Sequence, residues 1–224
     1  MKKILTILVC LMVSGAGFAQ EIEAPDYNTI ARNVAEKDSE YYYPELVARY
    51  NAADTSMTLE QRRHLYYGSI AVHKKGLKES TEALRKMNEV LMKQNPGRED
   101  LESLVDYTAT ILAYEPYSIT IKKYRQYCLE QLGYYKQAIA ERAQTEIIID
   151  AILSSGDGST LDKSIHVIDQ DNEFEVISLL GFEPEGNEYA TNGQVDYIVL
   201  GKNAYGKPGL YFEVTQMAKQ VTGL

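Results

Sequence analysis

Residues 154–182, SSGDGSTLDKSIHVIDQDNEFEVISLLGF, divide this chain into two kinds of pattern. Before them apolar residues recur at helical spacing; after them they come in short β-branched runs. Ser155-Gly156-Asp157-Gly158 sets two glycines around an aspartate. Glycine reaches positive φ without a Cβ clash, so the run ends a helix and turns the chain. Ile165 and Val167, then Phe174, Val176, Ile177, Leu179 and Leu180, are separated by DQDN as turn material. The spacing predicts two antiparallel strands, about 165–169 and 173–180, joined by an acidic turn.

Upstream, Tyr135, Ala138, Ile139, Arg142, Ile149, Ile152 and Leu153 mark a long last helix, preceded by a turn at Gly133. Tyr117, Ile121, Tyr124, Cys128 and Leu132 mark the helix before it. Leu101, Leu104, Val105, Thr108, Ile111 and Leu112 give the clearest amphipathic stripe. A helix from Leu77 to Gln94 follows a break at Gly76 and stops at Asn95-Pro96-Gly97. Thr58 and Gln61 form a capping box for the helix TLEQRRHLYYGSIAV, in which Gly68 implies a close neighbour. Pro44 opens an earlier helix, and Tyr27, Ile30, Ala31 and Val34 share one face of the first. Loops of two to five residues make successive helices antiparallel neighbours.

The segment 128–141, CLEQLGYYKQAIAE, resembles the turn and second helix of a tetratricopeptide repeat, through Gly133, Tyr135 and Ala138. Lys122, Arg125 and Gln126 fall where such repeats are apolar or small, and no second unit follows at a period of about 34. The geometry expected is repeat-like hairpin packing without a repeat array. Downstream, 183–193 (EPEGNEYATNG) is polar and loop-like, while Val195 to Leu200 and Leu210 to Val214 read as strands joined by GKNAYGKPG. The tail MAKQVTGL is expected to fray. The fold class is therefore α+β: antiparallel helical hairpins, then a small antiparallel β-sheet packed on them. The expected organisation is a signal peptide at 1–19, a helical region at 20–154 and a small β-rich region at 155–224.

Lys2 and Lys3, the apolar run Ile4 to Val13, and Gly17 and Ala19 before Gln20 make a secretory leader, too short to span a membrane. Cys10 lies inside the apolar run after Val9, not behind the small residue a lipid-attachment site requires. The expected location is exported, periplasmic or secreted. Loss of the two lysines takes the net charge from −9 to −11. Nucleic acid and anionic membranes need a positive footprint, so both are disfavoured. The mature chain keeps one cysteine, Cys128, and so has no internal disulfide; it reads as a small buried hydrophobe.

His64, His73 and His166 form no metal-binding pair, and no cofactor is expected. Asp169, Asp171 and Glu173 begin like a calcium loop, but Phe174 and Leu180 stand where glycine and glutamate are needed. Asp157 and His166 with Ser155 or Ser159 are a chance set for a triad, and no catalytic residue is assigned. The unusual feature is aromatic: 18 Tyr, 4 Phe and no Trp. Tyrosine suits recognition surfaces, and equally the packing of short helices. Packing is the simpler reading; the alternative is an interaction surface of Tyr41, Tyr42, Tyr43, Arg63, His64, Tyr66 and Tyr67.

Three segments together carry a resemblance: YYYPELVARY at 41–50, MTLEQRRHLYYG at 57–68, and SGDGSTLDKSIHVI through SLLGF at 155–182. They resemble an uncharacterised family of small exported proteins from gut-type Gram-negative anaerobes, catalogued as domain-of-unknown-function family 4919. This chain departs from it at Glu173-Phe174, where Glu-Tyr is usual, and at Val195, where cysteine is common before Asp196. The resemblance implies export and the helix-then-strand order, and no activity. The expected function is a non-enzymatic envelope or secreted module that binds an envelope protein. The alternatives are a hydrolase acting on an envelope or dietary polymer, and a purely structural protein.

Overall fold

The computed structural model describes residues 22–72, 77–191 and 195–214. The leader with Cys10, His73, the Gly76 break and the tail lie outside the described residues. Seven helices come first: α1 (Tyr27–Ala35), α2 (Tyr43–Asn51), α3 (Leu59–Val72), α4 (Leu77–Leu91), α5 (Arg98–Leu112), α6 (Ile119–Leu132) and α7 (Tyr135–Leu153). The hinge, residues 154–182, holds β1 (Ile165–Val167) and α8 (Asp171–Leu179), and after it come β2 (Pro184–Thr191), β3 (Val195–Leu200) and β4 (Gly209–Val214). The fold is α+β, with a sheet of order β1-β4-β3-β2.

Several helix ends are fixed by residues within a few positions of them. Gln61 N–H donates to Thr58 Oγ1 at 3.2 Å, and Thr58 N–H donates to Gln61 Oε1 at 3.0 Å, closing the capping box. Asp100 accepts from Gly97 N–H at 2.9 Å to start α5. Gly133, at φ 84°, ends α6. The helices pack in series, α4 on α5, α5 on α6, α6 on α7 and α7 on α3, which also carries α1 and α2. Lys122 and Arg125, two of the three residues that spoil a tetratricopeptide pattern, reach from α6 to α7. Buried Lys122 donates to Glu141 at 3.0 Å and to Gln144 at 2.7 Å, and Arg125 donates to Glu141 at 2.8 Å. Burial lowers the Lys122 pKa, and the Glu141 charge opposes that shift.

The sequence reading of the hinge is corrected in three places. Residues 171–179 form a helix, α8, rather than a strand. Asp171 and Glu173 lie in its first turn, where acids favour the helix dipole, and Gly181 at φ 76° follows its end. The DQDN run is therefore a helix start and not a β-turn. Second, β1 runs parallel to β4, with Ile165 opposite Phe212 and Val167 opposite Val214, so the sheet is mixed. Third, most of the supposed 183–193 loop is β2, antiparallel to β3 with an irregularity between Pro184 and Tyr189. An edge strand needs no apolar run when its backbone finds a partner. Tyr135 and Ile139, placed on the core stripe of α7, are exposed; its buried face carries Ala138, Thr145, Ile148 and Ile152.

The largest apolar cluster joins both sides of the hinge, uniting Tyr66, Ile148 and Ile152 with Ile165, Val176 and Phe212. A second cluster lies among α4, α5 and α6 around Met87, Leu104, Ile111 and Cys128. Cys128 is a free, buried thiol whose pKa is pushed up by burial.

Gly68 marks the close crossing of α3 and α1. A Cβ there would lie 2.6 Å from Val34 Cγ1, and buried, β-branched Val34 has little freedom to yield. Gly68→Ala is therefore expected to destabilise by about 1–2 kcal/mol, the overpacking cost exceeding the propensity gain. A higher urea midpoint in the variant would overturn this.

Candidate functional site

The seven residues of the sequence-derived surface divide sharply by location. Tyr43, Arg63, His64, Tyr66 and Tyr67 are buried, and Tyr41 and Tyr42 are half-buried. All of α3 from Arg63 to Ser69 is enclosed, because α1, α2 and α7 surround it. The Tyr43 and Tyr117 hydroxyls meet at 2.8 Å. Tyr67 donates to the His166 carbonyl at 3.1 Å, and its ring lies edge-on to Tyr66 at 4.9 Å. Burial pushes the Tyr43 hydroxyl up to about 12, against a smaller lowering by its bond to Tyr117. Arg63 donates to Ser154 Oγ at 2.8 Å and to the Glu23 carbonyl at 2.9 Å, clamping the N-terminal strap to the end of α7. Tyr41 stacks on His64 at 3.8 Å between ring centres. Their partners lie inside the protein, and Tyr41 and Tyr42 are the members of the set that keep part of their surface in solvent.

The Ser-His-Asp set does not assemble. Ser155 Oγ accepts from the His166 backbone N–H at 2.9 Å and donates to the Ile152 carbonyl. Asp157 accepts from Ser159 N–H at 2.8 Å, as a turn residue does. The imidazole of His166 instead meets the Tyr27 hydroxyl, Nδ1 to Oη, at 3.1 Å, and its Nε2 lies 3.9 Å from Glu213. Burial, helped by the Arg63 charge, lowers the His166 pKa to about 4. A histidine so hard to protonate is a weak general base at neutral pH. Burial also raises the Tyr27 pKa, so its hydroxyl stays protonated. This line ties α1 to the sheet.

An open groove of about 440 Å³ lies where the hinge, the N-terminal strap and the β3–β4 loop converge. Apolar Ile22, Leu153, Ile165, Leu180 and Phe182 line it with Gly156, and Asp157, Tyr205 and Lys207 complete it. The β3–β4 loop is built around Asn203. Its amide donates to the carbonyls of Gly201 at 3.0 Å and Lys207 at 2.7 Å. Its Oδ1 accepts from Tyr205 N–H at 3.2 Å and Lys207 N–H at 3.0 Å. Gly206 takes the positive φ, 62°, that this tight loop requires. The loop thus holds Tyr205, 78 % exposed, edge-on to Phe182 at 5.9 Å between ring centres. A large apolar ring left in water by a well-bonded loop fits recognition better than packing. The sequence reading joined two strands through this loop and assigned it nothing; its signal was asparagine and glycine bracketing an aromatic residue.

Among the described residues no group of three His, Cys, Asp or Glu side chains is placed to hold a metal ion. Among those residues also, no helix is long and apolar enough to cross a membrane. No curated protein and no solved structure matches the chain. A family model described as a domain of unknown function, DUF4919, matches residues 28–222, covering the helices, the hinge and the sheet alike. The chain belongs to the DUF4919 family.

Proposed function

We propose that this chain is an exported, non-enzymatic binding module of the cell envelope or secreted space, and that its groove takes an apolar segment of a partner protein. Support for export comes from the leader pattern at 1–19. The binding reading is carried by the Asn203-bonded loop holding exposed Tyr205 over the groove. A hydrolase of the two-carboxyl kind would need an acid held protonated near neutral pH. Asp26, Asp54, Glu82, Asp100, Asp157 and Asp162 are all shifted the other way, chiefly by hydrogen bonds to neighbouring backbone and side chains, which weighs against any of them in that role.

The test is a photo-reactive phenylalanine analogue at position 205, irradiated in the native envelope, with the same analogue at exposed Tyr135 as control. One reproducible partner protein cross-linked from 205 and not from 135 is expected. A folded, monomeric chain that captures nothing from 205 would overturn the reading and direct attention to polymer substrates.

A further inference from the structure

We infer that the groove receives the C-terminal end of a partner polypeptide whose last residues are apolar, with Lys207 taking the terminal carboxylate. This deepens the binding reading above and rests on it. Lys207 lines an otherwise largely apolar groove, and among the described residues no carboxylate lies within 4 Å of its ammonium. Its backbone is anchored beside the groove, because Asn203 bonds both its N–H and its carbonyl. Asp157 shares the groove and stays ionised: the Ser159 hydroxyl holds its pKa down most, and Lys163 and Lys207 add to that. Lys163 and Lys207 both act on Asp157, and the ionised Asp162 beside Lys163 balances that cation, which leaves Lys207 and Asp157 as the charged pair lining the groove.

A polypeptide end offers three things together: one anion, backbone N–H donors beside it, and apolar side chains. Each has a counterpart here. Lys207 meets the anion, the ionised Asp157 accepts from the N–H donors, and Leu153, Ile165, Leu180 and Phe182 meet the side chains. A fatty acid would satisfy the apolar wall and Lys207 but bring no donor for Asp157. An internal peptide segment would bring the donors but no anion for Lys207. The volume, about 440 Å³, lies at the lower end of the range for small-ligand sites and suits a few residues.

The experiment uses the mature chain and two matched hexapeptide pools ending in three apolar residues, one with free carboxylates and one amidated, with oleate as a separate ligand. Binding is read by fluorescence polarisation, and folding of each variant by circular dichroism. The free-acid pool is expected to bind roughly tenfold or more tightly than the amidated pool. Lys207→Gln should erase that difference while keeping the residual apolar binding, and Leu180→Asp should remove binding of both pools. Equal binding of the two pools, binding of oleate alone, or binding of neither pool would overturn the inference. The broader reading fails separately: a partner cross-linked from position 205 through an internal segment would keep the binding function and reject the C-terminal mode.

Discussion

Replacing Tyr66 with alanine is expected to cost the native state about 4 kcal/mol, enough to leave a marginal domain largely unfolded. The side chain is fully enclosed, 0 % exposed, at the centre of α3. Its ring lies edge-on to Tyr67 at 4.9 Å and to Tyr117 at 6.0 Å, so truncation opens a cavity in the middle of the core. Its hydroxyl donates to Asn172 Oδ1 at 2.7 Å and accepts from Ile168 N–H at 3.2 Å, joining α3 to both ends of the β1–α8 connection. Tyr66→Phe separates the two contributions. It keeps the ring and strands those two partners, for about 1–3 kcal/mol. Tyr135→Ala, on the exposed face of α7, should stay within about 0.5 kcal/mol of the parent. Urea titrations of the three variants at pH 7 check the series. A Tyr66→Ala midpoint close to that of Tyr135→Ala would contradict the interior placement of Tyr66.

The helices were legible where their ends are local. A Thr58–Gln61 box, an Asp100 reaching back to Gly97 and a left-handed Gly133 are all written within a few residues. The stretch 171–180 was not, because its apolar run is short enough for strand or helix. What favours the helix is tertiary. It brings Glu175 to accept from Ser118 Oγ at 2.8 Å, Thr120 N–H at 2.7 Å and Asn172 Nδ2 at 2.7 Å. Those partners lie up to 57 residues away. The parallel pairing of β1 with β4 is equally non-local, and a three-residue strand carries too little pattern to announce it.

The candidate site was less legible than the fold. Tyrosines in sequence do not say where their hydroxyls end up. Here the partners of Tyr43, Tyr66 and Tyr67 are Tyr117, Asn172 and the His166 carbonyl, all inside the protein. The hint available was that α3 interrupts its apolar face with Arg63, His64 and Gly68, as an enclosed helix with built-in partners does. The groove had no contiguous signature at all. It draws on residues 22, 153, 165, 180 and 205, which only the fold brings together.

Acid should loosen this protein well before its carboxylates are neutralised, and His166 is the reason. In the unfolded chain its pKa is near the ordinary 6.5, whereas burial first and Arg63 second hold it at about 4 in the native state. Between those values the unfolded chain binds a proton that the native one refuses, so stability falls as pH falls from 6.5 to 4. The gap is worth about 3 kcal/mol, all of it lost by the time pH drops below the native value. His64, also lowered by burial first, adds to the loss in the same direction. Asp54 and Glu82, both held near 2 chiefly by side-chain hydrogen bonds, contribute only at lower pH, so the windows separate. The groups facing His166 are Tyr27 from α1, Arg63 and Tyr67 from α3, and Glu213 from β4. Of these only Glu213 would welcome the new charge, and at 3.9 Å it is beyond hydrogen-bond reach. The wild-type urea midpoint should therefore decline steadily from pH 7 to 4.5, while His166→Gln, weaker at pH 7, should show a distinctly shallower decline. Parallel curves for the two proteins would assign the acid sensitivity elsewhere. A shallower curve for the variant would place it at the joint where Tyr27 fastens α1 to the sheet.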